Sequence, residues 1–426
     1  MENTLQILSQ YNFWTSVPAN LGFIRNNYLQ RIDSYLGSHL VKVLTGQRRS
    51  GKSYLLRQVA KQLIDSGVNP VNTFMLNKDL LAFDFVRTYK DLENLFTLYM
   101  KELKPEGKVY IFIDEVQNID GWERFVNSYS QDYTHEYELF LTGSNSKMLS
   151  GELASLLSGR YVTVEVSPFS FREYCAFKEI EESRQTYIEY MRQGGMPELL
   201  RIDNEEVRRN YVMALKDTIL LRDIIQREHI KDPQLLEELF IYLVNNTSNL
   251  FSVNGLMKYY KSKGRKVGYE KIAQYLSFMQ DAYLLHRADR YNIRGKETIA
   301  GVCKYYPNDP AFRHYLFQGT MLGTGYELEN VVYLQLRRMG FNIYVGDSQG
   351  HEVDFVAIKN DRVVYIQVTY MLTDEMTIQR EYGSLESIAD NYEKYVVSLD
   401  DMQQPSRNGI RHIRAWELER RLQDMQ

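Results

Sequence analysis

Two short stretches carry residue types at spacings that could do chemistry on a polyphosphate. The first, Gly46-Gln-Arg-Arg-Ser-Gly-Lys-Ser53, matches G-x-x-x-x-G-K-[ST]. That chemistry needs a loop whose backbone N–H groups curl around phosphate oxygens, and a helix whose positive N-terminal end faces the same anion. Gly46 and Gly51 permit the curl, Lys52 is spaced to reach the β- and γ-phosphates, and the Ser53 hydroxyl to ligate Mg²⁺. Arg49, Ser50 and Tyr54 complete the candidate ATP-binding set. The second stretch, Lys108-Val-Tyr-Ile-Phe-Ile-Asp-Glu115, is a continuous apolar run ending in two adjacent carboxylates. Asp114 suits Mg²⁺ and Glu115 the polarisation of an attacking water.

These residues require particular elements behind them. Val41–Thr45 reads as a buried strand and 54–64 as an amphipathic helix, so the glycine-rich turn lies between a strand and a helix. Residues 71–76 read as another strand, and 89–103 as a helix stopped before Pro105. Leu139-Phe-Leu-Thr-Gly-Ser-Asn-Ser146 is a third apolar strand with a small polar end. In a doubly wound sheet, strand C-termini meet at the ligand, so Ser144 or Asn145 would sense the γ-phosphate; an ordinary turn is the alternative. A helix over 147–157 would lead to Ser158-Gly-Arg160 and a strand over 161–166. Arg160 is placed to reach a neighbouring subunit's γ-phosphate, or to cap a surface corner.

Residues 1–40 show helical patterns over 5–14 and 26–36, joined through Pro18 and Gly22, with Arg25, Tyr28 and Arg31 available to a base. The length of 426 residues favours two to four domains, and a net charge of −4 gives no global bias towards nucleic acid. The two cysteines, Cys175 and Cys303, support neither a disulfide framework nor a zinc module. The N-terminus does not read as a signal peptide, and no long apolar run predicts a membrane span, so the expected compartment is the cytoplasm.

Residues 258–271 hold six basic residues against one acidic one, between a helix capped by Ser252 and a second helix over 269–279. This is helix-turn-helix or winged-helix spacing, and double-stranded DNA could dock at Lys258, Lys261, Lys263, Arg265 and Lys266; a solvated basic loop fits as well. Further on, 325–336 reads as an amphipathic helix, followed by strands over 343–345, 351–357 and 363–369.

The phosphate loop, the Asp114-Glu115 strand end, Thr142-Gly-Ser-Asn145, Ser158-Gly-Arg160, Ser167-Pro-Phe-Ser-Phe-Arg-Glu173 and Gly194-Gly-Met-Pro-Glu198 together resemble the prokaryotic AAA-superfamily ATPases that carry an additional C-terminal domain. The resemblance implies an α/β fold: a P-loop parallel sheet with a helical lid, then a winged-helix-like region and a C-terminal α/β domain like restriction endonucleases. The corresponding boundaries are 1–168, 169–230, 231–287 and 288–426. It implies an ATPase using ATP and Mg²⁺, with Asn145 as sensor, Arg160 as a finger acting within a homo-oligomer, and Arg222 as a lid residue, which could equally pair with Asp223. The alternatives are an ATP-gated DNA-binding regulator or defence component and a nucleotide-binding scaffold without turnover. Glu329, Asp354 and Gln367 fall where a PD-(D/E)xK nuclease keeps its metal ligands. The motif's lysine is Thr369 here, so no cutting is expected. Glu352 is assigned to the face opposite Asp354, and Lys359 to a different strand end.

Overall fold

The computed structural model describes residues 2–15, 20–149, 157, 159–317 and 324–423. They form two compact units, Met1–Val166 and Ser167–Gln426.

In the first unit, β1 (Val41–Thr45), β2 (Thr73–Asn77), β3 (Val109–Asp114), β4 (Tyr137–Gly143) and β5 (Tyr161–Glu165) form an all-parallel sheet in the order β2-β3-β4-β1-β5. The central strands β1, β3 and β4 are buried on both faces, as continuous apolar runs require, while β5 at the edge is mostly half-buried. One face packs on α2 (Asn26–Asp33) and α3 (Lys52–Asp65), through Leu44, Phe112 and Phe140 against Leu55, Leu56 and Val59. The other packs on α1 (Glu2–Gln10), α4 (Tyr89–Leu103) and α5 (Trp122–Ser130), through Val43, Ile111 and Leu141 against Leu92, Phe96 and Phe125. Thr88 and Asp91 make the capping box that starts α4.

The helix expected over 5–14 ends at Gln10 because the residues beyond it serve β2 instead. The Asn12 carboxamide accepts from Met75 N (2.6 Å) and donates to Met75 O (3.0 Å), and Trp14 Nε1 donates to Thr73 O (2.6 Å). Side chains thus stand in for a neighbouring strand along an otherwise open sheet edge. Residues 146–149 form a 3₁₀ turn, and most of the helix expected over 147–157, together with Pro18 and Ser158, lies outside the described residues.

The second unit begins with α6 (Phe171–Lys178), α7 (Arg184–Gln193) and α8 (Glu205–Thr218), which continues as a π-helix over Ile219–Gln226. Arg222 is exposed there and its neighbour Asp223 is buried. The glycine pair of Gly194-Gly-Met-Pro has a packing reason. Gly195 N donates to the buried Asp309 carboxylate (2.8 Å), and a Cβ on Gly194 would come within 1.8 Å of that carboxylate.

Next come α9 (Pro233–Asn245), α10 (Val253–Ser262) and α11 (Tyr269–Asp281), then an antiparallel hairpin of β6 (Leu285–Asn292) and β7 (Glu297–Pro307). Phe251, between α9 and α10, pairs with Cys303 of β7 through an isolated antiparallel bridge. The same hairpin joins β8 (Asn342–Ser348), β9 (His351–Lys359), β10 (Arg362–Val368), β11 (Glu393–Ser398) and β12 (Arg411–Arg414) in a mixed sheet of order β12-β11-β10-β9-β8-β6-β7. The boundary expected at 287 therefore falls inside β6. Helices α12 (Ala311–Leu316), α13 (Thr324–Arg338), α14 (Glu375–Glu386) and α15 (Leu418–Gln423) complete this unit.

Candidate nucleotide site

The parallel register brings Thr45 of β1 beside Gly143 of β4, and Asn77 of β2 beside Asp114 of β3. The loop that leaves β1 therefore shares one sheet end with the carboxylates. Gly46 takes φ +142°, where a Cβ would come within 2.2 Å of Val166 O, so only glycine fits. Arg49 and Gly51 are left-handed at φ +68° and +99°, a backbone that turns successive N–H groups into one concavity. Ser50 Oγ is buried there without a hydrogen-bond partner. A concave loop holding an orphaned hydroxyl at a helix N-terminus fits an anionic polyphosphate.

Lys52 opens α3, and its Nζ donates to Gly46 O (2.9 Å) and Gln47 O (3.0 Å). The lead-in is strapped over the same helix: Gln58 Nε2 donates to Leu21 O (2.7 Å) and Phe23 O (2.8 Å). Of the three lead-in residues singled out, Arg25 touches the loop. Its Nη1 donates to Ser50 O (3.2 Å) and its guanidinium lies 4.3 Å from the Tyr28 ring centre, whereas Arg31 is exposed on α2. The Tyr54 ring lies against Gly22 and the Arg57 guanidinium.

Across the loop, Thr142 Oγ1 donates to Asp114 Oδ1 and accepts from Glu115 N (2.9 Å), and Ser53 also hydrogen bonds Asp114. Burial pushes both the Asp114 and Glu115 carboxyls up, opposed at Asp114 chiefly by the hydrogen bonds from Thr142 and Ser53 and at Glu115 by the Lys52 ammonium. Glu115 sits at φ +55° and receives a hydrogen bond from Gln117 Nε2 (2.5 Å). Neither Thr142 nor Gln117 was singled out from sequence, though Thr142 stands in the small polar strand end that was.

Asn145 is buried near this end, its Oδ1 capping the following turn through Lys147 N (2.7 Å), and Ser144 is buried beside it. Arg160 is elsewhere. It precedes Tyr161, which pairs with Val41 at the N-terminal end of β1, so it sits at the sheet end opposite the phosphate loop.

Residues 38–175 match a family described as an AAA domain, and residues 184–323 match a domain of unknown function. An uncharacterized protein of Haemophilus influenzae is 32% identical over 91% of this chain and 96% of its own length. The chain belongs to this family of AAA-domain proteins. A second relative, from Methanocaldococcus jannaschii, is 28% identical over 85% of this chain and 82% of its own. A Walker-type ATPase of Pyrococcus abyssi superposes with a TM-score of 0.47 at 15% identity, covering 71% of this chain and 99% of that one. The lysine, serine and paired carboxylates above all stand on loop and strand ends of the AAA domain, residues 38–175. No helix among the described residues is long and apolar enough to cross a membrane.

The C-terminal cluster departs from expectation in two respects. Glu352 shares a face with Asp354, because residues two apart on a strand point the same way. A lysine is present as well: Lys304 of β7 places its Nζ 3.0 Å from Glu329 Oε1, 2.7 Å from Glu352 Oε1 and 3.8 Å from Asp354 Oδ1. Burial alone would lower this ammonium's pKa, yet Glu329, Asp354 and Glu352 outweigh it and hold it above the ordinary lysine range. Gln367 Oε1 accepts from Asp354 N (3.3 Å), and Thr369 N is occupied by Val397 O (3.0 Å). The sequence signal was available. A lysine inside Val302-Cys-Lys-Tyr-Tyr306, an otherwise apolar run, demands buried anionic partners.

The basic stretch is smaller than its count suggests. Arg265 is tied to Glu238 (2.7 Å) and Asp232 (3.0 Å), and Lys271 to Asp232 (3.1 Å). Asp232 also caps α9, so these cations staple the helices together. Lys258, Lys261, Lys263 and Lys266 remain exposed, interleaved with exposed Tyr259 and Tyr269.

Proposed function

We propose that this protein binds Mg-ATP at residues 46–54 and hydrolyses it, and that turnover drives conformational switching of residues 167–426. The arrangement at one sheet end carries the reading: an anion cradle with a buried lysine faces Asp114 and Glu115, both held by Thr142. Mg²⁺ held by Ser53 and Asp114 would neutralise phosphate charge, and the chain's own residues supply the rest. Lys52 exchanges its two loop carbonyls for phosphate oxygens, Glu115 accepts a proton from the attacking water, and Asn145 holds the terminal phosphate. Arg160 serves the site of a second copy, because it is at the far end of its own sheet. The buried free thiols of Cys175 and Cys303 accord with a reducing cytoplasm.

Loss of a positioned base typically costs ~10²–10⁴ in rate. Lys52→Ala is expected to abolish binding of a fluorescent ATP analogue, whereas Glu115→Gln should bind it normally and lose turnover. Wild-type specific activity should rise with protein concentration as copies assemble. Wild-type turnover in Glu115→Gln would remove Glu115 from this role.

A second reading, an ATP-gated DNA-binding regulator or defence component, is favoured by one observation. Helices α9 to α11, the Phe251 bridge and the β6–β7 hairpin follow in winged-helix order, with four exposed lysines on α10 and the turn after it. For residues 288–426 we propose a restriction-endonuclease-like fold kept for assembly rather than cutting. Thr369 stands at the motif's lysine position, but the Lys304 ammonium is seated among the carboxylates where a metal would have to sit.

A further inference from the structure

Glu115 is the residue to which the reading above gives the attacking water, and one of its oxygens is already engaged. Gln117 Nε2 donates to Glu115 Oε2 (2.5 Å) from the short 3₁₀ turn Val116–Asn118 that follows β3. A carboxylate oxygen that accepts an amide N–H is a weaker acceptor for the proton of a water. The other end of the same carboxamide is unsatisfied: Gln117 Oε1 is buried and has no hydrogen-bond partner. It lies beside Gly143 at the end of β4, where a Cβ would come within 2.9 Å of Oε1 and 2.0 Å of Met148 Sδ. Glycine at this strand end therefore makes the seat into which the carboxamide folds.

The two ends of Gln117 oppose each other. A hydrogen bond to an ionised carboxylate is among the stronger ones, while a buried carbonyl left without a donor costs a comparable amount. A side chain that gains at one end what it loses at the other is poised between two positions, one on Glu115 and one turned out to water. The backbone of Glu115 does not share this freedom, since its N–H is fixed by Thr142 Oγ1 (2.9 Å). The movable partner is thus Gln117.

We propose that Gln117 is a latch on Glu115: seated under Gly143 it occupies the carboxylate and holds basal hydrolysis down, and its release frees Glu115 for water. Gln117 is a positioning residue, acting only through Glu115. The proposal rests on ATP hydrolysis at this site, and it predicts the reverse of what loss of a supporting residue would produce.

The test compares full-length wild type, Gln117→Ala, Gln117→Met, and Gln117→Ala combined with Glu115→Gln. Turnover is measured over a range of Mg-ATP, and binding by a fluorescent ATP analogue. Methionine keeps the length of glutamine but carries no N–H donor, so it opens the latch without emptying the seat. It also serves if the alanine variant does not fold. Both single variants should raise kcat by about tenfold with KM and analogue affinity unchanged, the free-energy equivalent of one hydrogen bond, and the double variant should be inactive. Equal or lower kcat in both single variants of an active wild type would overturn the latch and leave the ATPase reading standing. Absence of turnover in wild type and both single variants, with the analogue bound, would overturn both. A double variant as fast as Gln117→Ala would show that the gain does not pass through Glu115, and would also overturn the latch.

Discussion

The protein twice gathers acidic side chains on a strand and a buried lysine near them, and disposes of the lysine differently. In the AAA domain the Lys52 ammonium is held by two loop carbonyls, and the carboxylates of Asp114 and Glu115 are held by neutral partners, Thr142 and Gln117. In the C-terminal sheet the Lys304 ammonium is itself the partner of Glu329 and Glu352, with Asp354 close by. The first arrangement borders open space; the second is closed on itself by direct ion pairs. A 440 Å³ cavity borders Ser53 and Asp114 in the first. Similar residue types thus serve as a receptor in one place and a staple in the other, and removing the cation separates the two uses.

The largest effect on stability is expected at Lys304. With 3% of its side chain exposed, Lys304→Met leaves the carboxylates of Glu329 and Glu352 without their cation. Breaking a buried ion pair from one side costs about 3–5 kcal/mol, whereas removing both partners is far cheaper. Urea unfolding should show that loss in Lys304→Met and substantial recovery when Glu329→Gln is added; a loss under ~1 kcal/mol would make the cluster solvated rather than internal. In wild type, supercoiled plasmid should stay intact with Mg²⁺ or Mn²⁺. Cleavage that disappears in Asp354→Ala would turn the staple into a second receptor and end the comparison.

The same contrast explains what the sequence made legible. The nucleotide site is local: a strand, eight residues of loop and a helix start, plus one strand end, and each of these reads as a pattern in a single window. Strands β1 and β3 and helix α4 are where periodicity and capping put them. The C-terminal cluster is assembled from β7, α13 and β9, so the lysine comes from a strand remote in sequence from its carboxylates. No window contains it. Likewise Asn12 and Trp14 continue a helical pattern but satisfy the open edge of β2, a demand that exists only once the sheet has formed. The face of Glu352, by contrast, follows from the strand period alone: two residues from Asp354, it shares that residue's face.

Next in size is Asp309, which shares with Lys304 the property of being charged and buried but has backbone N–H groups for partners. Its carboxylate accepts from Gly195 N and Ala311 N, yet burial raises it from 3.8 to about 6. A carboxyl whose folded pKa is raised stabilises the fold fully below its unfolded value, and that contribution is lost as pH rises through the folded value. Unfolding measured from pH 4 to 7.5 should therefore show the wild type losing ~2–3 kcal/mol relative to Asp309→Asn as pH rises. A pH-independent difference between the two would mean that the carboxyl titrates normally and that the Gly194-Gly195 turn imposes no desolvation on it.

The smallest effect concerns charge that is not internally matched at all. In the 258–271 stretch the two fates occur side by side: Arg265 and Lys271 are neutralised by Asp232 and Glu238, while Lys258, Lys261, Lys263 and Lys266 face solvent. If duplex DNA binds here, each lysine that neutralises a phosphate contributes ~0.9 to the slope of log affinity against log salt. Lys258→Gln with Lys261→Gln should lower that slope by ~1–2 while leaving thermal stability unchanged, because neither side chain holds another. Arg265→Gln should do the opposite, keeping the slope and lowering stability by ~1 kcal/mol as Asp232 and Glu238 lose a partially exposed partner. Equal slopes for wild type and the lysine pair, or a slope lost with Arg265, would place any DNA contact elsewhere and show that counting cations in a sequence misjudges which of them are available.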